Sequence, residues 1–247
     1  MLSLLKNHPF AVTSHFNTSL VLTFAVPKDQ LQKLIPTCLA LDTYANEWAF
    51  VAVAMVDTSN LRPTGFPAFL GNDFILTGYR IFVQYRTSYG KRLRGLYIIR
   101  SETDNARMAF FGNLFTHYNY RQTDISFSRQ NEILEVKSSA SDLFVKVKLG
   151  DRDISLPKDS PFKDWKEARR YAGPLPFTFT YDAVKNEVLI IEGVRDDWAP
   201  KPVEVLKCRV GFVDSLLLNG VVLANAFVVN NIPYSWKKGR IDPWIKS

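Results

Sequence analysis

Apolar residues come along this chain in short bursts separated by turn-forming residues, and most bursts read as strands. Leu20 to Val26 is a strand that Pro27 ends. Asp29 then opens a short helix with Leu31, Leu34 and Ile35 on one face, and Pro36 stops it. Trp48 to Met55 is apolar throughout with small residues interleaved, which predicts a strand covered on both sides. Two prolines and a glycine between Arg62 and Pro67 predict an ordered loop. Asp57, Thr58 and Ser59 either cap the turn after the Trp48 strand, the reading the residue types favour, or line a pocket mouth beside that loop.

Ile75 to Thr87 and Gly95 to Arg100 read as strands joined by a basic turn. Asp104 has the form of an N-cap. Ala106, Ala109, Phe110 and Leu114 follow it at helical spacing, so a helix from Asp104 to Thr116 is expected to set its Phe-rich face on the sheet. Tyr118 to Phe127, Glu132 to Ser138 and Asp142 to Leu149 have the spacing of a strand meander. Pro161 to Tyr171 predicts a second helix with Trp165 in the core, and Glu187 to Val194 and Val203 to Val213 predict strands. Within Leu216 to Val229, Asn219-Gly220 predicts a type I′ turn between paired strands.

Many strands, two or three short helices and no regular β–α–β alternation define a mainly β, α+β fold class. The expected form is an antiparallel closed or cone-like barrel, or curved sheets, with helices at the side. No Gly/Ser tract, Pro-rich spacer or charge block divides the chain, so residues 1–247 are read as one domain.

Composition changes this picture little. Aromatics make up 13% of residues, which suits strands and a wide core. The net charge of +7 gathers around Lys91 to Arg94, Lys166 to Arg170 and Lys237 to Arg240. Those groups could meet nucleic acid or an anionic surface, but no binding motif accompanies them, and the favoured reading is hairpin tips, a helix face and a tail that keep the chain solvated. Neither nucleic acid nor membrane is therefore expected as a partner. The longest apolar stretch, Leu216 to Val229, is shorter than the roughly 20 residues of a membrane span. With no apolar leader in MLSLLKNHPF, the expectation is a cytoplasmic chain, with Cys38 and Cys208 as reduced, buried thiols.

Standard chemical motifs are missing. There is no Gly-rich phosphate loop and no nucleophile elbow. His8, His15 and His117 stand apart, so no metal is expected, and no cofactor motif is present.

The order of phrases is more informative. LVLTFAVPKDQLQKLIPTCLALD, WAFVAVAMVDTSNL, RPTGFPAFLGNDF, GLYIIRSETDNARMAFFGNLF and HYNYR follow one another. This order resembles the acetoacetate-decarboxylase-like superfamily, and in particular its uncharacterised branch, a domain of unknown function. The resemblance covers Asn17 to Arg121 well and the C-terminal half loosely. It implies a cone-like antiparallel β structure around a buried apolar pocket. It also implies a comparison with the decarboxylases' chemistry, in which a lysine after the central helix forms a Schiff base with a β-keto acid.

Laid on this sequence, the lysine-bearing phrase falls on Tyr118-Asn119-Tyr120-Arg121. The reactive lysine becomes Tyr120, the neighbouring cation is kept as Arg121, and the pocket arginine of the first strand becomes Asn17. No lysine lies between Arg92 and Arg129, and arginine stays protonated, so the Schiff-base group is missing. What the resemblance implies is a protein that binds a small apolar carboxylate or keto acid in a buried pocket. Arg121, Tyr118, Tyr120 and Arg80 are the candidate ligand-binding residues.

The alternative is an active lyase or hydrolase on small keto acids, with Tyr120 or His117 as acid–base group, so whether the chain is an enzyme stays open. So does the reading of Tyr118, Tyr120 and Arg121 as ordinary strand-edge packing. Arg80 and Arg86 share a parity on their strand, without a signal for which face meets the pocket. The expected partner is a small, possibly anionic, molecule. Self-association into a homo-oligomer is open.

Overall fold

The computed structural model describes residues 5–150, 154–171 and 175–244. Two long strands open it, β1 (Val12–Pro27) and β3 (Trp48–Pro63), with the short β2 (Leu39–Leu41) between them. β4 (Asn72–Arg86) and β5 (Arg92–Thr103) form the hairpin around the basic turn. β6 (Tyr120–Gln122), β7 (Ser126–Gln130), β8 (Ile133–Ser138) and β9 (Leu143–Lys148) follow. The chain ends with β10 (Phe177–Asp182), β11 (Glu187–Arg195), β12 (Lys201–Pro202), β13 (Glu204–Val210), β14 (Val222–Trp236) and β15 (Arg240–Pro243).

Eleven of these strands form one curved sheet in the order β12-β14-β1-β3-β4-β5-β10-β11-β15, with β2 on β4 and β6 on β5. A further pairing of Gly193 to Arg195 with Tyr234 to Trp236 joins β11 to β14. The other four strands, β13-β9-β8-β7, form a separate antiparallel sheet. Pairing is antiparallel except where β5 meets β10 and β6.

The unbroken apolar run of β3 is explained by burial on both faces. Val51, Val53 and Met55 join Leu20, Leu22 and Phe24 of β1 in a core cluster that includes Leu134, Val136, Val145 and Val147 of the smaller sheet. Phe50, Ala52, Ala54 and Val56 face the other way, into a second cluster with Phe82, Phe162 and Tyr171. Phe50 is fully buried and stacks on Phe162 at 5.5 Å, a burial of about 1.5–3 kcal/mol. Ala52 and Ala54 add little volume to that face, and space is left beside them.

Several sequence expectations need correction. β3 runs on to Pro63, so Asp57, Thr58 and Ser59 lie within a strand and not in a capping turn. The Tyr118 to Phe127 segment splits, because β6 pairs with β5 and β7 joins the small sheet. Val203 to Val213 likewise breaks at Val210, where the helix Gly211–Ser215 begins. Asn219-Gly220 follows that helix and does not link paired strands. Gly220 has a positive φ of 68° and Asn219 does not, which rules out type I′.

In the second helical segment, only Trp165–Ala168 is α-helical, and Phe162, Ala168 and Tyr171 are the segment's buried residues, with Trp165 half-buried. Cys38 is buried, but Cys208 is exposed. No helix among the described residues is long and apolar enough to cross a membrane.

The central helix, Ala106–Phe115, is capped by Asn105, whose side chain accepts from the Met108 amide at 3.1 Å. Asp104 instead accepts from the Ile75 amide at 2.8 Å and ties the helix start to β4. The buried stripe is Met108 and Gly112, four residues apart, while Phe110 and Phe111 are 65% and 49% exposed. The expected Phe-rich contact with the sheet is thus reversed. Gly112 brings the helix backbone close to Tyr120, and the phenylalanines turn outward.

Candidate functional site

Small residues on neighbouring strands leave an inner cavity of about 60 Å³. Ser19 of β1, Ala52 and Ala54 of β3, Ser101 of β5 and Gly193 of β11 contribute to its wall. Arg80 of β4 enters it, together with Tyr118, Tyr120, Thr178 and Tyr234.

Strand alternation along β4 turns Arg80 to the cavity, and a bulge on β5 at Ile99 brings Ser101 to the same face. The β4–β5 register shifts between Tyr79 and Arg80, so Tyr79 lies opposite Arg100 and Arg80 opposite Ile98. Tyr79 and Ile81 point into the large core, and Arg80 points with Phe82 to the other face. Arg86 has the same parity but is exposed at the strand end. The Arg80 guanidinium folds over Gly78, where a β-carbon would stand 2.9 Å from its nitrogens.

Burial lowers the Arg80 pKa, and the nearby phenols of Tyr234, Tyr120 and Tyr118 act in the opposite direction. Its Nε has no hydrogen-bond partner, and no carboxylate among the described residues lies within ion-pair distance of it. A guanidinium remains charged at neutral pH, so the cavity holds a desolvated positive charge.

The tyrosines supply hydroxyl groups. Burial pushes Tyr118 up to about 12, and its hydroxyl lies 2.7 Å from Thr178 Oγ1. Burial likewise raises Tyr120, with the Tyr118 phenol adding to the rise. Both phenols therefore stay protonated at neutral pH and can donate to an anion or carbonyl. Tyr120 is set by two contacts with the central helix: its ring packs on Gly112, and its amide donates to Asn113 Oδ1 at 2.8 Å.

Arg121 does not join them. It follows Tyr120 in β6 and is exposed, as strand alternation requires once Tyr120 faces the cavity. The expectation that Arg121 stands at the pocket floor is corrected: Arg80 is the cation there. His117 lies outside the described cavity walls, with its Nε2 3.4 Å from Asn7 Oδ1. Asn17 is exposed at a β1 bulge and accepts from the Ser59 hydroxyl at 3.0 Å.

Sequence reasoning missed Ser19, Ser101, Thr178 and Tyr234, which come from four strands far apart in the chain. It also missed a larger cavity of about 460 Å³ beside the first. The central helix, Val12, Phe74 and the loop around Leu70 wall it, and Thr58 contributes a buried hydroxyl without a hydrogen-bond partner among the described residues. Phe16, Leu76, Tyr118, Tyr120 and Trp236 line both cavities. The sequence pointed to this space through the buried apolar pocket that the resemblance implies and through the pocket-mouth reading of Asp57-Thr58-Ser59, of which Thr58 alone lines the cavity, as a buried wall residue.

On the opposite face of β4 and β5, Glu102 is fully buried. It pairs with Arg100 at 2.5 Å and accepts from the Tyr79 hydroxyl at 3.0 Å. This group packs in the large core, with Arg100 over the Phe212 ring.

The sheet order and cavity define the class of this chain, an acetoacetate-decarboxylase-like fold. The acetoacetate decarboxylase of Legionella pneumophila superposes with a TM-score of 0.62 at 12% identity, over 95% of this chain and 88% of that one. An acetoacetate decarboxylase-like enzyme from Sphingomonas wittichii RW1 gives 0.51 at 12% identity, over 97% and 92%. The enduracididine biosynthesis enzyme MppR, in its complex with pyruvate, gives 0.54 at 13% identity, over 94% and 90%. At these identities the likeness is one of fold. No curated protein matches the sequence. Residues 13–241 match the family DUF2071, described as an uncharacterized conserved protein, and the chain belongs to that family.

Proposed function

We propose that this protein binds a small, largely apolar carboxylate or keto acid, with the carboxylate held by Arg80 and oriented by Tyr118 and Tyr120. We read the strand circuit joined by the β11–β14 pairing as the wall of a cone around this site. One observation carries the proposal: a desolvated guanidinium faces a cavity and has no carboxylate partner among the described residues. Burying an unpaired cation is costly, and an anionic ligand supplies the missing partner. The remaining wall, mostly Val, Leu, Ile and aromatic side chains, suits an apolar remainder.

The chemistry is not that of a Schiff base. The described residues lining both cavities include no lysine, and Tyr120 stands where the resemblance puts the amine. The acid–base lyase alternative has weaker support, since His117 is not in either cavity wall and Tyr120 is held protonated.

The test is a thermal-shift screen of short carboxylic and keto acids on the wild type, Arg80→Met and Arg121→Ala. Stabilisation should appear in the wild type and in Arg121→Ala and vanish in Arg80→Met. Equal shifts in all three proteins would overturn the assignment.

A further inference from the structure

We infer that the ligand is an amphiphile: a carboxylate with an extended apolar tail, head inward at Arg80 and tail lying in the larger cavity. This rests on the proposed role of Arg80 and adds the size and shape of the molecule.

The inner cavity, at about 60 Å³, is too small for a whole ligand. One water needs roughly 10–15 Å³ on this scale, so the space suits a carboxylate and its nearest atoms. The larger cavity, at about 460 Å³, falls within the roughly 300–1,000 Å³ range of small-molecule sites. The two share Tyr118, Tyr120, Leu76, Phe16 and Trp236, so a molecule seated at Arg80 has the larger space directly beyond it.

Their chemistry is divided in the same way. Arg80 and three tyrosines gather at the small end. Leu61, Phe74, Met108, Phe115 and other apolar side chains dominate the large end. The cations there are poor competitors for the head. Arg62 is engaged by the carbonyls of Phe66 and Asn60 at 2.9 and 3.0 Å, and Arg107 is exposed at the mouth. Leu70 and Phe111, 52% and 49% exposed, continue the apolar lining to the surface, which gives the tail an entrance.

The experiment titrates straight-chain carboxylic acids of increasing length, and the matching alcohols, by isothermal titration calorimetry. For the acids, Kd should fall by about fourfold per added methylene until the cavity is filled. The alcohols should bind more weakly at every length. Met108→Trp should shorten the chain length at which the gain stops, and so should Leu70→Trp, whose exposed position does not threaten folding.

Short acids that bind with no gain from lengthening would overturn this inference and leave the Arg80 assignment standing. Acids and alcohols that bind equally well, with a clear gain per methylene, would overturn the Arg80 head group and with it the amphiphilic carboxylate. A length limit unmoved in both tryptophan variants would remove the tail from this cavity. Binding lost in Arg107→Met and kept in Arg80→Met would reverse the orientation and overturn the inference.

Discussion

The guanidinium of Arg80 lies on the backbone of Gly78, two residues earlier on the same face of β4, so that a β-carbon at Gly78 would meet Nε and a terminal nitrogen at 2.9 Å. The crowding is with the far end of a flexible side chain. A methyl group there displaces the guanidinium more readily than it distorts the sheet. Gly78→Ala should therefore change stability little, by less than about 1 kcal/mol in urea unfolding, while it weakens stabilisation by short carboxylates. A normal ligand response in a well-folded Gly78→Ala protein would show that the Arg80 position does not matter.

That relationship also marks how far the sequence could be read. The small–large alternation of WAFVAVAM announced a strand buried on both faces, and Ala52 and Ala54 do face the cavity. The family resemblance, not periodicity, singled out Tyr118 and Tyr120, and both line the cavity. Strand alternation in β6 turns Arg121 away from the cavity once Tyr120 faces it, which the resemblance alone did not convey. Which face of β4 meets the cavity was illegible, because it depends on what packs against each side of the sheet. The outward turn of Phe110 and Phe111 was hidden for a similar reason: it follows from the close approach of Gly112 to Tyr120, a contact between segments and not a pattern within one. The apolar run after Asn219 resembled a hairpin, but its strand partner is β1, roughly two hundred residues earlier, and local turn chemistry does not report such pairing.

Arg100 and Glu102 stabilise the opposite face as a unit. Removing one partner leaves the other charge in the core, so Arg100→Met alone should cost about 3–5 kcal/mol. The double variant Arg100→Met/Glu102→Leu removes both charges and should recover part of that loss. Urea unfolding of the two single variants and the double variant measures the coupling. A double variant as unstable as the sum of the singles would mean that the pair does not act as a unit.

Asp242 gives the fold a pH dependence. Burial by itself would raise its pKa, but hydrogen bonds from the Tyr85 hydroxyl at 2.5 Å and from the Ser88 amide and hydroxyl at 2.9 and 2.8 Å outweigh it, and the net shift is downward. A carboxylate with a lowered folded pKa contributes stability above its unfolded value, near 3.8, and loses it as pH falls through the folded value. Asp242→Asn should cost about 1–3 kcal/mol at neutral pH. The gap to wild type should narrow as pH drops below about 3.8. Unfolding curves at neutral and acid pH decide this, and a gap that widens on acidification would contradict the assignment.

The last prediction concerns covalent chemistry. Imine formation needs an unprotonated amine to attack the ketone carbon and expel water, and borohydride then delivers hydride to the iminium and fixes the adduct as a secondary amine. The described residues around the two cavities provide no lysine for the attack. The aligned position, Tyr120, carries a phenol that burial holds protonated, and a phenol cannot form an imine. Exposed lysines such as Lys137 and Lys237 pair with Glu135 and Glu192 and line neither cavity, so no pocket holds a keto acid against them. Treatment with acetoacetate and borohydride should leave the intact mass of the protein unchanged. A stoichiometric adduct that maps to a single lysine by peptide mass analysis, and that short carboxylates suppress, would show that a lysine reaches the cavity and that the Schiff-base route is open after all.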